Sequence, residues 1–476
     1  MLDIPALGPT GPYRTRNRTT VADASGTPAL ELPSVPGLVV SHWIDQLRAS
    51  APLPVAETAD VLRKAADVFE AQEVLGDDLD AHERRVSALT GTPVAVVREC
   101  DRLITETLRD VGRAPASARP TGCAPVGTPV RDAPSAGAAW CRTGDVFAVH
   151  AAGNSPGVHA LWLEALALGY RVVVRPSTRD PLTPLRLVTA LRQAGLPTTQ
   201  LVVAPCDHAT ADLIIERADR ALVYGGQDVV DRYRNRADVR LQGPGRSKLV
   251  VTADADRRAG LDLARTGALY HAGTACTATT GVLVEQDPAG FAAELAAALR
   301  DVAPARPLDD EALLPCLPEA DARRLVTAVL NRAKGSTVHL PPRVERLGGT
   351  GSLATVTPAV VELASPKDPL LSYEVPFPCV WVAPFERGAV DVLDGSLVLS
   401  LHTGDGGLVA RAAELTAVAN VYWGRPTSWV HPDVPHDGFL GEFLMRAKGL
   451  ALPGETPDEM SGEMSDQTSD ETRSGK

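Results

Sequence analysis

The fold is decided by residues 144–177, GDVFAVHAAGNSPGVHALWLEALALGYRVVVRPS, and by the similar pattern that continues to residue 235. Short apolar runs of strand length (DVFAVH, RVVVR, QLVVA and RALVY) alternate there with segments whose apolar residues recur at helical spacing. Continuous apolar strands separated by helices are typical of a parallel sheet covered on both faces. The stretch therefore predicts a doubly wound α/β domain, in which ligands contact the C-terminal ends of the strands.

The composition is that of a globular protein of more than one domain. The chain has 476 residues, of which 44% are hydrophobic and 22% are charged. Its net charge of -12 gives no basic stripe for nucleic acid. It has no apolar run of about 18 residues, which a membrane span needs, and no signal-peptide pattern at its start. Seven widely spaced cysteines without a C-x-x-C pair favour a reduced, cytoplasmic setting with no structural zinc.

The usual nucleotide-binding motifs are absent from the sequence. Neither G-x-G-x-x-G nor the P-loop pattern occurs, and the nearest matches, at residues 348–351 and 404–407, lack a strand–turn–helix context. A nicotinamide cofactor would therefore have to be bound by a different device.

Four segments carry polar or nucleophilic residues of distinctive type. They are Asn154 in HAAGNSPG, Arg175 in VVVRPS, Cys276 in HAGTACTATTG and Glu374 in YEVPFP. Their order and separations resemble the Asn, Lys-Pro-Ser, G-x-x-C-x-A and E-x-F-G-P segments of the aldehyde dehydrogenase superfamily. The resemblance extends over roughly residues 140–440. It implies two doubly wound α/β domains, one for the cofactor and one for catalysis, with a small oligomerisation extension.

The resemblance also implies a role for three of these residues. Cys276 is expected to be the nucleophile that forms an acyl-enzyme, because a thiolate attacks carbonyl carbon. Asn154 is expected to donate to the resulting oxyanion together with the backbone N–H of Cys276, and Glu374 to bind the nicotinamide ribose. Taken singly, a cysteine is more often a small buried hydrophobe, an asparagine a turn or cap residue, and a glutamate a surface acid. The shared register favours the functional assignments.

Further cofactor contacts follow from the same register. Arg175 stands where the family usually has a lysine that contacts the adenosine ribose, and Ser177 follows it. The position of the acid common in NAD-preferring members is Thr178, and Arg179 comes next. Two guanidinium groups and no carboxylate favour a 2′-phosphate, and thus NADPH over NADH. Gly225 and Gly226 match the turn at which the cofactor pyrophosphate meets a helix N-terminus, although a plain helix-entry turn would look the same.

One departure from the family pattern concerns the general base. Hydrolytic members use a glutamate to activate the water that cleaves the acyl-enzyme, and the matching residue here is Gln242, 34 residues before Cys276. An amide cannot take a proton from water as a carboxylate does. The chain is therefore more similar to the acyl-CoA (fatty-acyl) reductase branch that includes the bacterial luminescence reductase.

These features predict NADPH-dependent reduction of an acyl thioester to an aldehyde through a Cys276 acyl-enzyme. The acyl donor is acyl-CoA or a protein-bound thioester, and a partner ligase could supply it. One alternative is NAD(P)-dependent oxidation of an aldehyde to an acid, with His271 or Glu285 as a replacement base. Another is a catalytically silent partner subunit of an acyl-activating enzyme, which retention of Cys276, Asn154 and Glu374 argues against.

The domain organisation follows from the two α/β patterns, the second of which begins after Gln242. A homo-oligomer is expected, as is usual in the superfamily. The predicted segments are an N-terminal arm containing a strand-like run LVVSHWI (1–54), a helical segment with the cofactor-binding domain (55–245), within it a connecting or oligomerisation excursion (114–141), the catalytic domain (246–421), a C-terminal return segment (422–453) and an acidic, disordered tail (454–476).

Overall fold

The computed structural model describes residues 1–129, 132, 136–348 and 352–451. The predicted acidic tail lies outside the described residues, as do parts of the 114–141 excursion and of the glycine run at 348–351. Two seven-stranded sheets dominate the rest of the chain.

The N-terminal arm contributes to the first large sheet as well as forming a sheet of its own. Its elements are β1 (Leu2–Asp3), β2 (Ala6–Gly8), β3 (Gly11–Tyr13), β4 (Arg18–Ala22), β5 (Pro28–Pro33) and α1 (Gly37–Ala49). The run LVVSHWI, expected as a strand, lies inside helix α1. The reason is the spacing of its buried side chains, Val40, Ile44 and Leu47, which recur every three or four residues and form one helical face.

A helical layer follows the arm and packs on the first sheet. It consists of α2 (Val55–Ala71), α3 (Leu79–Thr90), α4 (Val94–Arg109) and α5 (Arg113–Ala118), after which come strands β6 (Cys123–Ala124) and β7 (Ala136–Arg142). One face of α2 and α4 shares a core with the first sheet, and the side chains include Leu62, Phe69, Val97 and Ile104.

The first large sheet has the order β12-β11-β8-β9-β10-β2-β3. Its further elements are β8 (Val146–His150), α6 (Val158–Leu161), α7 (Leu163–Ala167), β9 (Arg171–Arg175), α8 (Leu182–Gln193), β10 (Leu201–Val203), α9 (His208–Arg217), β11 (Arg220–Tyr224), α10 (Gln227–Tyr233) and β12 (Val239–Gln242). Strands β8 to β12 are parallel, whereas β2 joins β10 antiparallel. The C-terminal ends of β8, β9, β11 and β12 therefore meet at one edge.

The second large sheet begins six residues after the first one ends, at Lys248. Its order is β16-β19-β20-β14-β13-β21-β22, and only β16 runs antiparallel to its neighbour. The elements of this part are β13 (Lys248–Val251), α11 (Arg257–Leu269), β14 (Gly281–Val284), α12 (Pro288–Arg300), β15 (Cys316–Pro318), α13 (Glu319–Arg332), β16 (Thr337–Leu340), β17 (Val344–Arg346), β18 (Leu353–Val356), β19 (Ala359–Glu362), β20 (Cys379–Pro384), β21 (Val398–His402), α14 (Gly406–Ala413) and β22 (Asn420–Trp423). The prediction of two doubly wound α/β units is confirmed.

The chain then returns to the first half of the molecule. Helix α15 (Leu440–Leu444) leads into β23 (Met445–Ala451), which pairs antiparallel with β7 along its whole length. Residues 424–439 connect the second sheet to this return segment. Within the described part of the chain, no helix has the length and apolar character needed to cross a membrane.

A buried carboxyl group fastens the return segment to the first domain. Oε1 of Glu164, on α7, accepts a hydrogen bond of 2.9 Å from the backbone N–H of Gly441. Burial raises the pKa of Glu164 from its ordinary value of 4.5 to about 7, although the Gly441 N–H opposes this.

We expect this carboxyl group to make stability depend on pH. Between about pH 4.5 and 7 the folded chain binds a proton at Glu164 that the unfolded chain releases, so its contribution to the free energy of unfolding falls as pH rises through that range. A Glu164→Gln variant keeps an oxygen for Gly441 but does not titrate. Thermal melts of both proteins across the range should show wild type losing stability relative to the variant. Parallel curves would contradict this.

Candidate active site

Cys276 lies in a loop between a short 3₁₀ turn (Tyr270–Gly273) and β14, and its side chain is half-buried. The turn holds three consecutive left-handed residues, with φ of 46° at His271, 59° at Ala272 and 71° at Gly273. A Cβ at Gly273 would lie 2.5 Å from the backbone nitrogen of Pro378, so only glycine fits there. Left-handed non-glycine residues cost about 1–3 kcal/mol each and persist only where neighbours enforce them. The surroundings therefore impose the shape of the cysteine loop.

The segment after β12 packs directly against the backbone of Cys276. Ser247 Oγ donates to the Cys276 carbonyl oxygen at 2.9 Å. A Cβ on Gly245 would lie 1.7 Å from the same oxygen, so glycine is required at that position as well. These contacts fix the backbone at Cys276, in addition to the contact of Pro378 with Gly273.

Asn154 reaches the same loop from the C-terminal end of β8. Its Nδ2 donates to the backbone oxygen of Thr274 at 2.9 Å, and Thr274 Oγ1 donates to the backbone oxygen of Asn154 at 3.3 Å. A side-chain amide has two hydrogens. One of them orients the asparagine against the cysteine loop, and this contact does not use the second.

A histidine that the sequence-based assignment did not include contacts the thiol. His436 Nε2 lies 3.1 Å from Cys276 Sγ, although 160 residues separate them in sequence. It belongs to the connection between β22 and α15. Its backbone oxygen accepts a hydrogen bond from Asn420 Nδ2, at the start of β22. The contact creates a thiol–imidazole pair, the arrangement by which cysteine nucleophiles are activated.

The electrostatics around His436 favour its protonated form. Burial alone would lower the pKa of this imidazole, but negative charge on Cys276 and on Asp437 outweighs that effect and raises it above its ordinary value. Asp437 Oδ1 lies 3.7 Å from His436 Nδ1. The pKa of Asp437 is held below its ordinary value, because its interactions with His436, Arg240 and Gln242 outweigh the opposing effect of burial.

The side chain of Gln242 is hydrogen-bonded to Asp437. Its side chain is buried, and Nε2 donates to Asp437 Oδ1 at 2.9 Å. The residue in the position of the family's general base is thus linked to the thiol through Asp437 and His436. The replacement bases considered from the sequence lie elsewhere: His271 Nε2 faces Glu99 at 3.6 Å, and Glu285 is paired with Arg387 at 2.7 Å.

Glu374 contacts the segment that packs on Cys276. Its Oε1 accepts a hydrogen bond of 2.7 Å from the backbone N–H of Arg246, a residue with a left-handed φ of 48°. Burial raises the pKa of Glu374, against the effect of its backbone donors. Glu374 therefore holds the 245–246 backbone that packs on Cys276, and the ribose contact expected from the sequence stays a prediction.

The two arginines expected at the cofactor differ in their surroundings. Arg175 ends β9, with its Nε buried and unpartnered and with one 3.5 Å contact from its guanidinium to the Cys206 carbonyl. Arg179, in contrast, is buried, and two of its nitrogens donate to the Thr90 carbonyl at 3.3 and 2.8 Å. Two nitrogens of Arg179 thus hold the C-terminal end of helix α3, and the expected pairing of both guanidinium groups with the cofactor stays a prediction.

The remaining expected cofactor residues lie near the same sheet edge. Ser177 Oγ accepts from the backbone N–H of Arg179 at 3.1 Å, and it lies so close to Gly153 that a Cβ there would come within 2.4 Å of it. Gly225 directly follows β11, where its N–H donates to the Gln242 carbonyl at 3.1 Å, and Gly226 directly precedes α10. Asn154, Arg175, Ser177, Gly225 and Gly226 thus line one edge, as the doubly wound prediction requires.

Comparison with known proteins agrees with this arrangement. The model of the aldehyde dehydrogenase family matches residues 151–449. Human and mouse aldehyde dehydrogenase 1A1 are each 31% identical to the chain over 144 residues, which span 28% of this chain and 29% of the relative. The chain thus matches less than a third of the length of these curated relatives.

Solved structures resemble the chain over nearly its whole length. The aldehyde dehydrogenase KauB from Pseudomonas aeruginosa has a TM-score of 0.79 at 19% identity, covering 95% of this chain and 97% of its own. The NADP-dependent glyceraldehyde-3-phosphate dehydrogenase of Bacillus halodurans, complexed with NADP, has a TM-score of 0.76 at 18% identity, covering 95% and 100%. At such identities the likeness shows the fold alone. Together with the family match over residues 151–449, it establishes that the chain belongs to the aldehyde dehydrogenase family.

Proposed function

We propose that the chain reduces an acyl thioester to an aldehyde, with NADPH as the favoured reductant. The observation that carries the proposal is the replacement of the family's catalytic carboxylate by the Gln242 amide, together with the 3.1 Å contact between Cys276 and His436. The site has a nucleophile and an acid beside it, but Gln242 cannot act as a base toward water.

Acylation uses Cys276 as a thiolate and His436 as an imidazolium. The thiolate attacks the thioester carbonyl carbon, and Asn154 Nδ2 donates a hydrogen bond to the oxyanion that forms. The carbon–sulfur bond to the leaving group then breaks, and His436 gives its proton to the departing thiolate. The products are a Cys276 thioester, a free thiol and a neutral imidazole.

Reduction returns the enzyme to its starting state. A reduced nicotinamide, when bound, would supply the hydride that the acyl carbon accepts. Asn154 again stabilises the oxyanion, the bond from carbon to Cys276 Sγ breaks, and the aldehyde leaves. Cys276 is regenerated as a thiolate, and His436 takes a proton from water. One hydride and one proton are consumed for each thioester, and the acyl group is never transferred to water.

The residues at the sheet edge fit a nicotinamide dinucleotide. His150 Nε2 and Arg175 Nε are buried without partners at the ends of adjacent strands β8 and β9. Unpartnered buried donors of this kind suit a ribose or phosphate oxygen. Arg175 and Ser177 would hold the adenosine end, Gly225 and Gly226 the pyrophosphate, and Glu374 the nicotinamide ribose. Thr178 places no carboxylate against a 2′-phosphate, which favours NADPH, with Arg175 rather than Arg179 as its cation.

Oxidation of an aldehyde to an acid is the second candidate, and His436 is the observation that favours it. After acylation a neutral imidazole at this position could take a proton from water, replacing the missing glutamate. The raised pKa of His436 supports thioester reduction, because only the attack on a thioester needs a protonated imidazole to donate to a leaving thiolate; attack on an aldehyde releases no such group.

The choice between these functions can be made with purified protein. NADPH and NADH are each mixed with a panel of acyl-CoAs and with the same acyl groups on a carrier-protein thioester or as acyl-adenylates. In parallel, aldehydes are mixed with NADP⁺ or NAD⁺ without CoA. We expect loss of reduced-nicotinamide absorbance with thioesters only, faster with NADPH, and release of one thiol per hydride. Oxidation of aldehydes without CoA would contradict thioester reduction and support the second candidate.

A further inference from the structure

We propose that Arg240, Gln242 and Asp437 form a positioning unit that holds the active-site histidine against the thiol. The inference rests on the role given to His436 in the proposed function, and it assigns a purpose to the glutamine that replaces the family's base. Gln242 then helps to position His436, in addition to replacing the family's catalytic glutamate.

The unit is built on strand β12 of the first domain. Arg240 and Gln242 are two residues apart, so their side chains project from the same face of the strand. Both donate to Asp437: Gln242 Nε2 reaches Oδ1 at 2.9 Å, and an Arg240 nitrogen reaches Oδ1 at 3.1 Å as well as the Asp437 backbone oxygen. Asp437 is therefore fixed by its side chain and its backbone to one strand.

A second anchor comes from the other large sheet. Asn420, at the start of β22, donates from Nδ2 to the backbone oxygen of His436. His436 and Asp437 are thus held from both domains, although they lie in a connecting segment with no regular structure of its own. Fixing adjacent residues from two sides sets the direction of the imidazole toward Cys276 Sγ.

The chemistry of the unit explains why an amide is needed at position 242. Asp437 offers only acceptor oxygens, so its neighbour must donate, and Gln242 does. A glutamate at 242 would place a second carboxylate about 3 Å from Asp437, where two such groups cannot both remain ionised. One would bind a proton, or Asp437 would move away and take the adjacent His436 with it.

The charged and titratable groups around the unit are few among the described residues. Tyr224, on β11, is deeply buried, and its pKa is raised by burial and further by Cys276 and Asp437, so it stays neutral. Tyr270, in the turn before the thiol, is likewise neutral because burial raises its pKa. Arg240 also interacts electrostatically with Glu164, and both Arg240 and Glu442 lie close to Gly438. The negative charges that act on the His436 imidazole are therefore those of the Cys276 thiolate and Asp437.

The test measures the thiol in the protein without substrate or cofactor. Iodoacetamide alkylation of Cys276 is followed by peptide mass spectrometry over a range of pH in wild type, Asp437→Asn and Gln242→Glu. We expect Asp437→Asn to slow alkylation near neutral pH, by up to about tenfold for each pKa unit that the imidazole loses, since that unit lowers the equilibrium constant of the ion pair tenfold. At alkaline pH the rates should converge, because the His436 imidazole is then neutral in every variant and no longer forms an ion pair with the thiol. Gln242→Glu should behave like Asp437→Asn and gain no aldehyde oxidation.

Asp433→Asn is the matched control. Asp433 lies in the same connecting segment and also pairs with an arginine, Arg113, at 2.6 Å. Its carboxylate has no recorded contact with His436. Its alkylation profile should equal that of wild type. Wild-type reactivity in Asp437→Asn, or slowing by one constant factor at every pH, would overturn the positioning role. Aldehyde oxidation by Gln242→Glu would also overturn it, since residue 242 would then face water and not Asp437.

The measurement separates this inference from the proposed function. If the variants follow the expected alkylation profiles but wild type reduces no thioester, the unit stands and the proposed reaction is wrong. If wild type reduces thioesters and the variants alkylate like wild type, the reaction stands and the unit is wrong.

Discussion

Replacing Cys276 with alanine is expected to reduce thioester turnover by roughly 10⁴-fold or more, the scale of loss seen when a nucleophile is removed from a nucleophile–base pair. No other described side chain occupies its place between Asn154 and His436. The reaction requires a covalent acyl-enzyme, and alanine offers no atom to form it. Steady-state NADPH consumption with an acyl-CoA measures the loss, and mass spectrometry of the protein mixed with acyl-CoA alone should show the added acyl group in wild type only.

Cys141→Ala provides the control for this result. Cys141 is also half-buried, but it lies on β7 in the small three-stranded sheet. Its removal should leave acylation and turnover unchanged. Retention of acyl labelling in Cys276→Ala would mean that another cysteine carries the acyl group, and the assignment of the site would be wrong.

Replacing Asn154 with alanine is expected to lower kcat by about 10²–10³-fold, the usual cost of losing one oxyanion donor. KM should change much less, because the donor acts on charge that develops during the reaction. Asn154→Asp should fail to a similar extent, since an aspartate of nearly equal size donates no hydrogen bond and faces the Thr274 carbonyl. Steady-state kinetics separate kcat from KM in each variant.

The loop contact of Asn154 makes a second measurement necessary. Its amide also holds the Thr274 carbonyl at 2.9 Å, so part of the loss could come from displacement of the cysteine loop. Iodoacetamide reactivity of Cys276 should remain within a few-fold of wild type if the loop stays in place. Asn331→Ala, at an exposed position on α13, serves as the unaffected control. Full activity in Asn154→Ala would exclude the oxyanion role.

The residues of the site that could be predicted are those that follow a recognisable strand and also stand in the family's order along the chain. Asn154, Arg175 and Gly225 follow apolar strands of one parallel sheet, so the ends of those strands must share an edge. Cys276 could be chosen from seven cysteines because of its small neighbours and its register with the other segments. The helix α1 could not be separated from a strand, since the run LVVSHWI is too short to reveal its period.

The rest of the site depends on contacts that no spacing reveals. His436 reaches the thiol because β23 pairs with β7 and brings the preceding segment across both sheets. The missing carboxylate at position 242 leaves the acid or base to another residue, but nothing in the sequence identifies that residue as His436. Arg179 was assigned to the cofactor by its type and position, and only the fold shows that Thr90 already uses its guanidinium.

Because His436 lies in a connecting segment, the group that transfers the proton can change during evolution while the two sheets do not. The thiol and its asparagine depend on two sheets whose cores tolerate little change, whereas the histidine depends on a segment that contributes to neither core. Connections accept substitutions and insertions more readily than the elements they join. A lineage could therefore exchange the proton-transferring group, and with it the fate of the acyl-enzyme, by altering residues 424–439 and their contacts on β12 and β22 while both sheets kept their architecture.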